Sequence, residues 1–225
     1  MKITQSQPAA SLGFSVIFPV ILGLVAVLLA STPHVFGENV SDQVFAEGGL
    51  IETLSGIMWF LTALVALSNL GASKLRALVF TIGFAAFGAR EFDLHKAFTS
   101  DSILKTNFYE TGSGLEVVFG GIAAVLIIIA LISMVVLTFK FLWSARKTRP
   151  VSAQLLFYGW GILVAGKVMD RLPSVLRKKF ELELPSIQQS MLKAAEEGLE
   201  LLVPVMMFVS FILVPNAVRR SDSEK

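Results

Sequence analysis

Six apolar stretches, each about as long as a membrane-spanning helix, constrain the fold of this chain more than any other feature. A helix rises about 1.5 Å per residue, so roughly 20 apolar residues cross a hydrocarbon core about 30 Å thick. Hydrophobic residues make up 54% of the 225 residues and charged residues only 16%, which is unusual for a soluble domain. The sequence therefore predicts an all-α, polytopic membrane bundle of about six transmembrane helices in one domain. The predicted spans are residues 12–31, 50–70, 75–95, 115–139, 152–171 and 191–215.

Charge, cysteine content and motifs exclude several classes of protein. The formal net charge is +2 and no basic patch is interleaved with exposed aromatic residues, so we predict no nucleic-acid partner. The chain has no cysteine, which excludes disulfides, thiolate metal sites and a cysteine nucleophile. Walker, GxGxxG, GxSxG and HExxH motifs are absent. The predicted partner on composition alone is the lipid bilayer.

The ends of the chain indicate a retained first span and a defined orientation. The first stretch contains Pro19, and Lys2 is the only basic residue before it, which favours a span over a cleaved signal peptide. Lys2, the loops at residues 71–74 and 140–150, and the C-terminal tail would share one side, and their Lys and Arg residues favour the cytoplasm. We therefore expect a multi-pass inner-membrane protein with both termini in the cytoplasm.

The last loop on the opposite side has its own pattern. We expect Leu172-Pro173 to end the fifth helix, because proline cannot donate a helical hydrogen bond. Residues 172–190 would then contain a short amphipathic segment at the membrane surface, or a plain linker.

The third apolar stretch ends in a dense run of charge, Arg90-Glu91-Phe92-Asp93-Leu94-His95. Thirteen uncharged residues separate Arg76 from Arg90. They span about 20 Å, so the charges that follow should lie below the outer lipid boundary. Charges at that depth are costly unless they face a protein interior or a water-filled cavity.

Four other predicted spans carry ionisable residues at the same level. The resulting layer has eight acidic and four basic residues, a surplus of four negative charges before His95 is counted. Its members are Glu52, Glu91, Asp93, Glu116, Asp170, Glu196, Glu197, Glu200, Arg90, Lys96, Lys167 and Arg171. The alternative interpretation is a solvated rim with helix-pairing ion pairs, such as Arg90 with Asp93 and Lys167 with Asp170.

Crowded carboxylates of this kind predict a bound cation or shared protons. Carboxylates with one imidazole suit Zn²⁺, Mn²⁺ or Mg²⁺, and such a divalent cation is the predicted cofactor. The predicted metal ligands are His95, Glu91, Asp170, Glu200 and Glu52. In a catalytic interpretation Glu197 would take a proton from metal-bound water, and Arg90 or Arg171 would hold a phosphate or developing oxyanion.

One short segment has a likeness to a known family. Residues 196–204, EEGLELLVP, are similar to the glutamate-rich EGxTExxP segment of undecaprenyl-diphosphate phosphatases. The likeness covers nine of the 225 residues. The serine–arginine PGxSRS segment of those phosphatases has no counterpart here, so the segment assigns no family.

Three functions of different classes stay open. The first is a binding or assembly subunit, whose charged layer docks a partner membrane protein or a lipid headgroup; the absence of a strong catalytic motif favours it. The second is a metal-dependent hydrolase of a lipid or lipid-linked substrate. The third is a cation or proton-coupled transporter, which the negative surplus favours. No charged residue lies at mid-depth of any predicted span, which counts against a continuous path for ions.

Overall fold

The computed structural model describes residues 8–69, 73–94, 106–111 and 114–223. Within these ranges the chain forms α-helices joined by turns and short links, with no β-strand, which confirms the all-α prediction. The helices are α1 (Pro8–Phe36), α2 (Glu38–Val44), α3 (Leu50–Ser68), α4 (Lys74–Glu91), α5 (Thr106–Thr111), α6 (Gly114–Ala145), α7 (Val151–Phe180) and α8 (Ser186–Ser223).

Four helices in the described part of the chain are long and apolar enough to cross a membrane. These segments are Gly13–Phe36, Leu50–Ser68, Val117–Ala145 and Val151–Phe180. Large apolar side chains on α1 and α6 face outward, with Val27 67% exposed and Phe119 68% exposed. An apolar surface of this extent is typical of contact with lipid.

Length and composition do not confirm the predicted count of about six spans among the described residues. Helix α4 is too charged, and the apolar half of α8 continues past residue 213, beyond the side chains that the structure describes. Lys74, Arg76, Arg90 and Glu91 lie within the 18 residues of α4. The first half of α8 carries a lysine and three glutamates ahead of its apolar half.

The end of the fifth predicted helix differs from the expectation. The prediction that Leu172-Pro173 ends this helix was wrong, because α7 continues through Pro173 to Phe180. Pro173 removes only the hydrogen bond to the carbonyl of Met169, four residues earlier. Met169 lines an open groove. Residues 172–180 are therefore the last turns of α7, and residues 181–185 link α7 to α8.

The third predicted helix ends earlier than residue 95. Helix α4 ends at Glu91, and Phe92 and Asp93 form a turn in which Asp93 has a φ of 49°. His95 and Lys96 lie outside the described residues, and so does the side chain of Glu116. Arg90 and Glu91 are therefore the last two residues of α4, and Asp93 lies in the turn that follows.

Hydrogen bonds tie helix α3 to α8 at a fixed register. Helix α3 packs against α4 and α8, while α8 also contacts α1 and α7, and α6 contacts α4 and α7. Thr62 Oγ1 donates a hydrogen bond to the Pro204 carbonyl at 3.1 Å, and Asn69 Nδ2 donates one to the Phe211 carbonyl at 3.3 Å. In each pair the two residues are 142 positions apart in the sequence, so α3 and α8 run parallel at constant register.

The neighbours of this pair run antiparallel to it. Gly88 of α4 lies against the carbonyl of Gly56 in α3, and Thr81 Oγ1 lies 3.4 Å from the Ala63 carbonyl. In α8, Ser210 Oγ donates to the Ser152 carbonyl of α7 at 2.9 Å. The start of α3, the end of α4, the end of α7 and the start of α8 therefore meet at one end of the bundle. We call this end the acidic end, because it holds the residues described next.

Candidate functional site

Carboxylates from three helices lie within electrostatic range of one another at the acidic end. Glu91 of α4 interacts electrostatically with Glu52 of α3 and with Glu200 of α8, and Glu197 interacts with all three. The 142-residue register explains this proximity, because it places residue 55 of α3 level with residue 197 of α8. All four side chains are half-buried. We call these four residues the acidic cluster.

Lys167 of α7 provides a compensating charge for Glu200, one of the four members of the acidic cluster. Its Nζ lies 3.3 Å from Oε1 of Glu200, whose side chain is only 16% exposed. Glu200 Oε1 is shielded from solvent and accepts no hydrogen bond from the described residues, so this ion pair is its main stabilising contact. Removing one partner of such a pair leaves an uncompensated charge, which is costly.

A glycine in α7 and a proline in α8 shape the environment of Glu200. A Cβ added at Gly166 would lie 3.0 Å from Glu200 Oε1, so glycine lets the carboxylate approach the backbone of α7. Pro204 has no N–H to donate to the Glu200 carbonyl four residues earlier, which leaves a backbone acceptor at the same level.

Glu52 has a local structural role besides its place in the cluster. Its Oε2 accepts a hydrogen bond from the amide of Gly48. Gly48 has a φ of 72°, a conformation that glycine adopts without steric cost. Glu52 therefore fixes the turn that leads into α3 and is only partly available to a ligand.

An open groove of about 570 Å³ lies next to the cluster, between α2, α7 and α8. Ligand sites typically occupy about 300–1,000 Å³. Six carboxylates and one cation line the groove: Glu38, Asp42, Glu47, Asp170, Glu196, Glu197 and Lys193. Glu197 belongs to both sets, so the cluster and the groove form one continuous acidic region. We call the groove itself, defined by these lining residues, the acidic groove.

Hydrogen bonds hold α2 in place over the start of α8. Ser190 Oγ, which is buried, donates to Asp42 Oδ1 at 2.8 Å. At the other side of α2, the hydroxyls of Thr32 and Ser41 lie 3.3 Å apart. Gly37 has a φ of 87° and allows the sharp turn between α1 and α2. These contacts make α2 a fixed wall of the groove.

The sequence prediction missed the contribution of α2. Glu38, Asp42 and Glu47 lie in what was predicted as an outer loop. Glu38 and Asp42 are four residues apart, which places them on one face of a helix, and that spacing was the available signal.

The other predicted site residues that the structure describes lie at the edge of the acidic cluster or outside it. Asp170 lines the groove, while Arg171 has a side chain 83% exposed and reaches Asp170 Oδ2 only at 4.0 Å. Arg171 lies instead beside Lys178 and Lys179 on another face of α7. Arg90 is exposed and next to Glu91. Neither arginine is among the groove-lining residues of the described chain.

The metal and catalytic assignments stay predictions. Among the described residues, no three histidine or acidic side chains are placed so that they could hold a metal ion. His95, one of the five predicted metal ligands, lies outside the described residues. The roles predicted for Glu197, Arg90 and Arg171, and the hydrolase and transporter hypotheses, are likewise untested.

Comparison of the chain with protein-family models, curated proteins and solved structures finds no match. The fold and the site alone therefore define its class. It is an all-helical bundle with apolar helices suited to a membrane and with carboxylates concentrated at one end.

Proposed function

We propose that this protein is a multi-pass inner-membrane binding subunit, whose acidic groove docks a basic segment of a partner membrane protein. The observation that carries this proposal is the lining of the groove, where six carboxylates and a single lysine are found among the described residues. A cleft lined by one sign of charge beside low-dielectric walls concentrates ions of the opposite sign. The excess of carboxylates therefore calls for positive charge from a ligand.

The spread of the carboxylates favours a basic segment over a single amine. They come from α2, from the link that follows α2, from α7 and from α8. One ammonium group, such as a lipid amine headgroup, would satisfy one or two of them. A segment with several lysines or arginines would match carboxylates along the whole groove, and this is the binding mode that we propose.

The proposal includes six spans, with α4 and α8 crossing beside the four more apolar helices. Helix α4 packs between α3 and α6, and α8 packs against α1, α3 and α7. A helix that lies alongside spanning helices crosses the same depth. The 18 residues of α4 measure about 27 Å, close to the thickness of the hydrocarbon core.

Basic and aromatic residues at the opposite end support the proposed orientation. Arg146, Lys147 and Arg149 lie between α6 and α7, and the Arg146 guanidinium stacks 4.3 Å from the ring centre of Trp143. Aromatic residues beside cations are typical of a membrane interface, and basic links favour the cytoplasm. An even number of spans then gives cytoplasmic termini and an extracytoplasmic acidic groove.

We expect the combined variant Glu38→Gln, Asp42→Asn, Glu196→Gln to weaken binding of a short lysine-only peptide by about tenfold. Exposed charge pairs contribute roughly 0.2–1 kcal/mol each, and about 1.4 kcal/mol corresponds to a factor of ten in affinity. Asparagine at position 42 keeps an oxygen that can accept the Ser190 hydrogen bond. Titration calorimetry of the full chain in mild detergent measures the change, and added salt should weaken wild-type binding.

The matched control is Glu110→Gln, Glu181→Gln, Glu183→Gln, which removes the same charge from exposed positions outside the groove. It should bind the peptide as the wild type does. Equal loss in both variants, or no binding by the wild type, would contradict the proposal. Displacement of the peptide by free ethanolamine at similar concentration would assign the groove to a single amine instead.

A further inference from the structure

Helix α7 exposes one continuous stripe of side chains along its outer half. Val164 is 64% exposed and Val168 is 61% exposed, and Arg171, Val175 and Lys178 continue the stripe. The residues are three or four positions apart, so they share one face of the helix. Arg171 is the first charged residue of the stripe.

Arg171 lies at the depth where a bilayer ends. Helix α7 begins at Val151, directly after the basic link that follows α6. The twenty residues from Val151 to Asp170 rise about 30 Å, which is the thickness of the hydrocarbon core. Arg171 is then the first residue at the far boundary, and the last turns of α7 lie among lipid headgroups.

The chemistry at this boundary suits a phosphate. Arg171, Ser174, Val175, Lys178 and Lys179 line a shallow concavity of about 280 Å³. The contact of Arg171 with Asp170 is 4.0 Å long and both side chains are at least half exposed, so it holds the guanidinium only weakly. Arginine presents several N–H donors in a geometry that matches phosphate oxygens, and lysine adds charge.

A purely structural explanation covers only part of this surface. Basic residues in the last turn of a helix stabilise the partial negative charge of its C-terminus, and Arg177, Lys178 and Lys179 occupy the last turn of α7. Arg171 lies two turns earlier, where that effect has faded. Its position is explained by the membrane boundary instead.

We infer that Arg171, Ser174, Val175, Lys178 and Lys179 form a binding surface for the headgroup of an anionic phospholipid. The cations hold the phosphate, and the valines of the same stripe contact the acyl chains. This inference rests on the membrane placement proposed above, but it uses none of the groove residues.

In the combined variant Arg171→Gln, Lys178→Gln, Lys179→Gln, we expect the ratio of phosphatidylglycerol binding to phosphatidylcholine binding to fall by about tenfold or more. Native mass spectrometry of the full chain in mild detergent, after incubation with each lipid, measures the bound fraction. All three side chains are exposed, so the fold should persist, and size-exclusion chromatography checks this. The single variant Arg171→Gln should show part of the same loss.

The control is Arg146→Gln, Lys147→Gln, Arg149→Gln, which removes the same charge at the opposite end and should keep most of the preference. Equal loss in both variants, or no lipid preference in the wild type, would overturn the inference. Displacement of the lipid by excess inorganic phosphate would assign the surface to free phosphate and also overturn it. Lysine-peptide binding, measured on the same samples, reports separately on the groove.

Discussion

Replacing Gly88 by leucine should force α3 and α4 apart and destabilise the bundle by about 3 kcal/mol, at the upper end of the usual cost of overpacking. A Cβ at Gly88 would lie 3.2 Å from the carbonyl oxygen of Gly56 and 3.1 Å from the ring of Phe60. The carbonyl belongs to the backbone of α3, so a side chain at position 88 fits only if the helices separate. Close approach through small residues is how membrane helices gain packing energy.

The measurement is the free energy of unfolding of the purified protein in mixed micelles. The matched control is Gly161→Leu in α7, because nothing lies within 4 Å of a Cβ at that position. Both substitutions add the same side chain to a helix, so the difference between them isolates the contact of α3 with α4. Equal destabilisation by both variants would show that this close approach is absent.

Replacing Lys167 by methionine should destabilise the fold by about 2 kcal/mol, because it leaves the carboxylate of Glu200 without its counter-charge. The Glu200 side chain is 16% exposed, and its Oε1 has no hydrogen-bond donor among the described residues. The double variant Lys167→Met, Glu200→Gln should recover most of the loss, since it removes both charges together.

A double-mutant cycle on unfolding free energies measures this coupling. Lys140→Met is the control, because Lys140 is exposed near the end of α6 and should change stability little. If Lys167→Met cost no more than Lys140→Met, or if the double variant showed no recovery, the ion pair would not be what stabilises Glu200.

The helices and their common charged end could be predicted from sequence, because both depend on distance along a helix. Apolar runs reveal where a helix can sit in lipid, and a rise of about 1.5 Å per residue converts position into depth. This is why Glu52, Glu91, Glu197 and Glu200 were expected at one level, where the structure places them within electrostatic range of one another.

Depth does not give the direction in which a side chain points. Asp170 and Arg171 are neighbours in sequence and share a level, yet successive helix residues are rotated by about 100°. Asp170 therefore faces the groove and Arg171 faces outward beside Lys178. Only the packing of α7 against α8 decides which of the two residues joins the acidic region.

Two features of the fold depend on tertiary contacts that the sequence does not reveal. They are the position of α2 as a wall of the groove and the end of α7, which the sequence predicted too early. Helix α2 has only seven residues, too few for its sequence to reveal its place in the fold. Its position depends on contacts such as that of Asp42 with Ser190, far along the chain. Pro173 was expected to end α7 by a local rule, but the helix continues to Phe180 despite the loss of one helical hydrogen bond.

Site-specific labelling tests the central claim, an extracytoplasmic groove that binds a basic segment. The chain contains no cysteine, so a single added thiol gives an unambiguous signal. Ser186 lines the groove, whereas Thr148 lies at the opposite end of the bundle. In intact spheroplasts a membrane-impermeant maleimide should label Ser186→Cys. This labelling should be slower when the lysine-only peptide is present. The same reagent should label Thr148→Cys only after permeabilisation. Labelling of Ser186→Cys that required permeabilisation, or that the peptide left unchanged, would contradict the account.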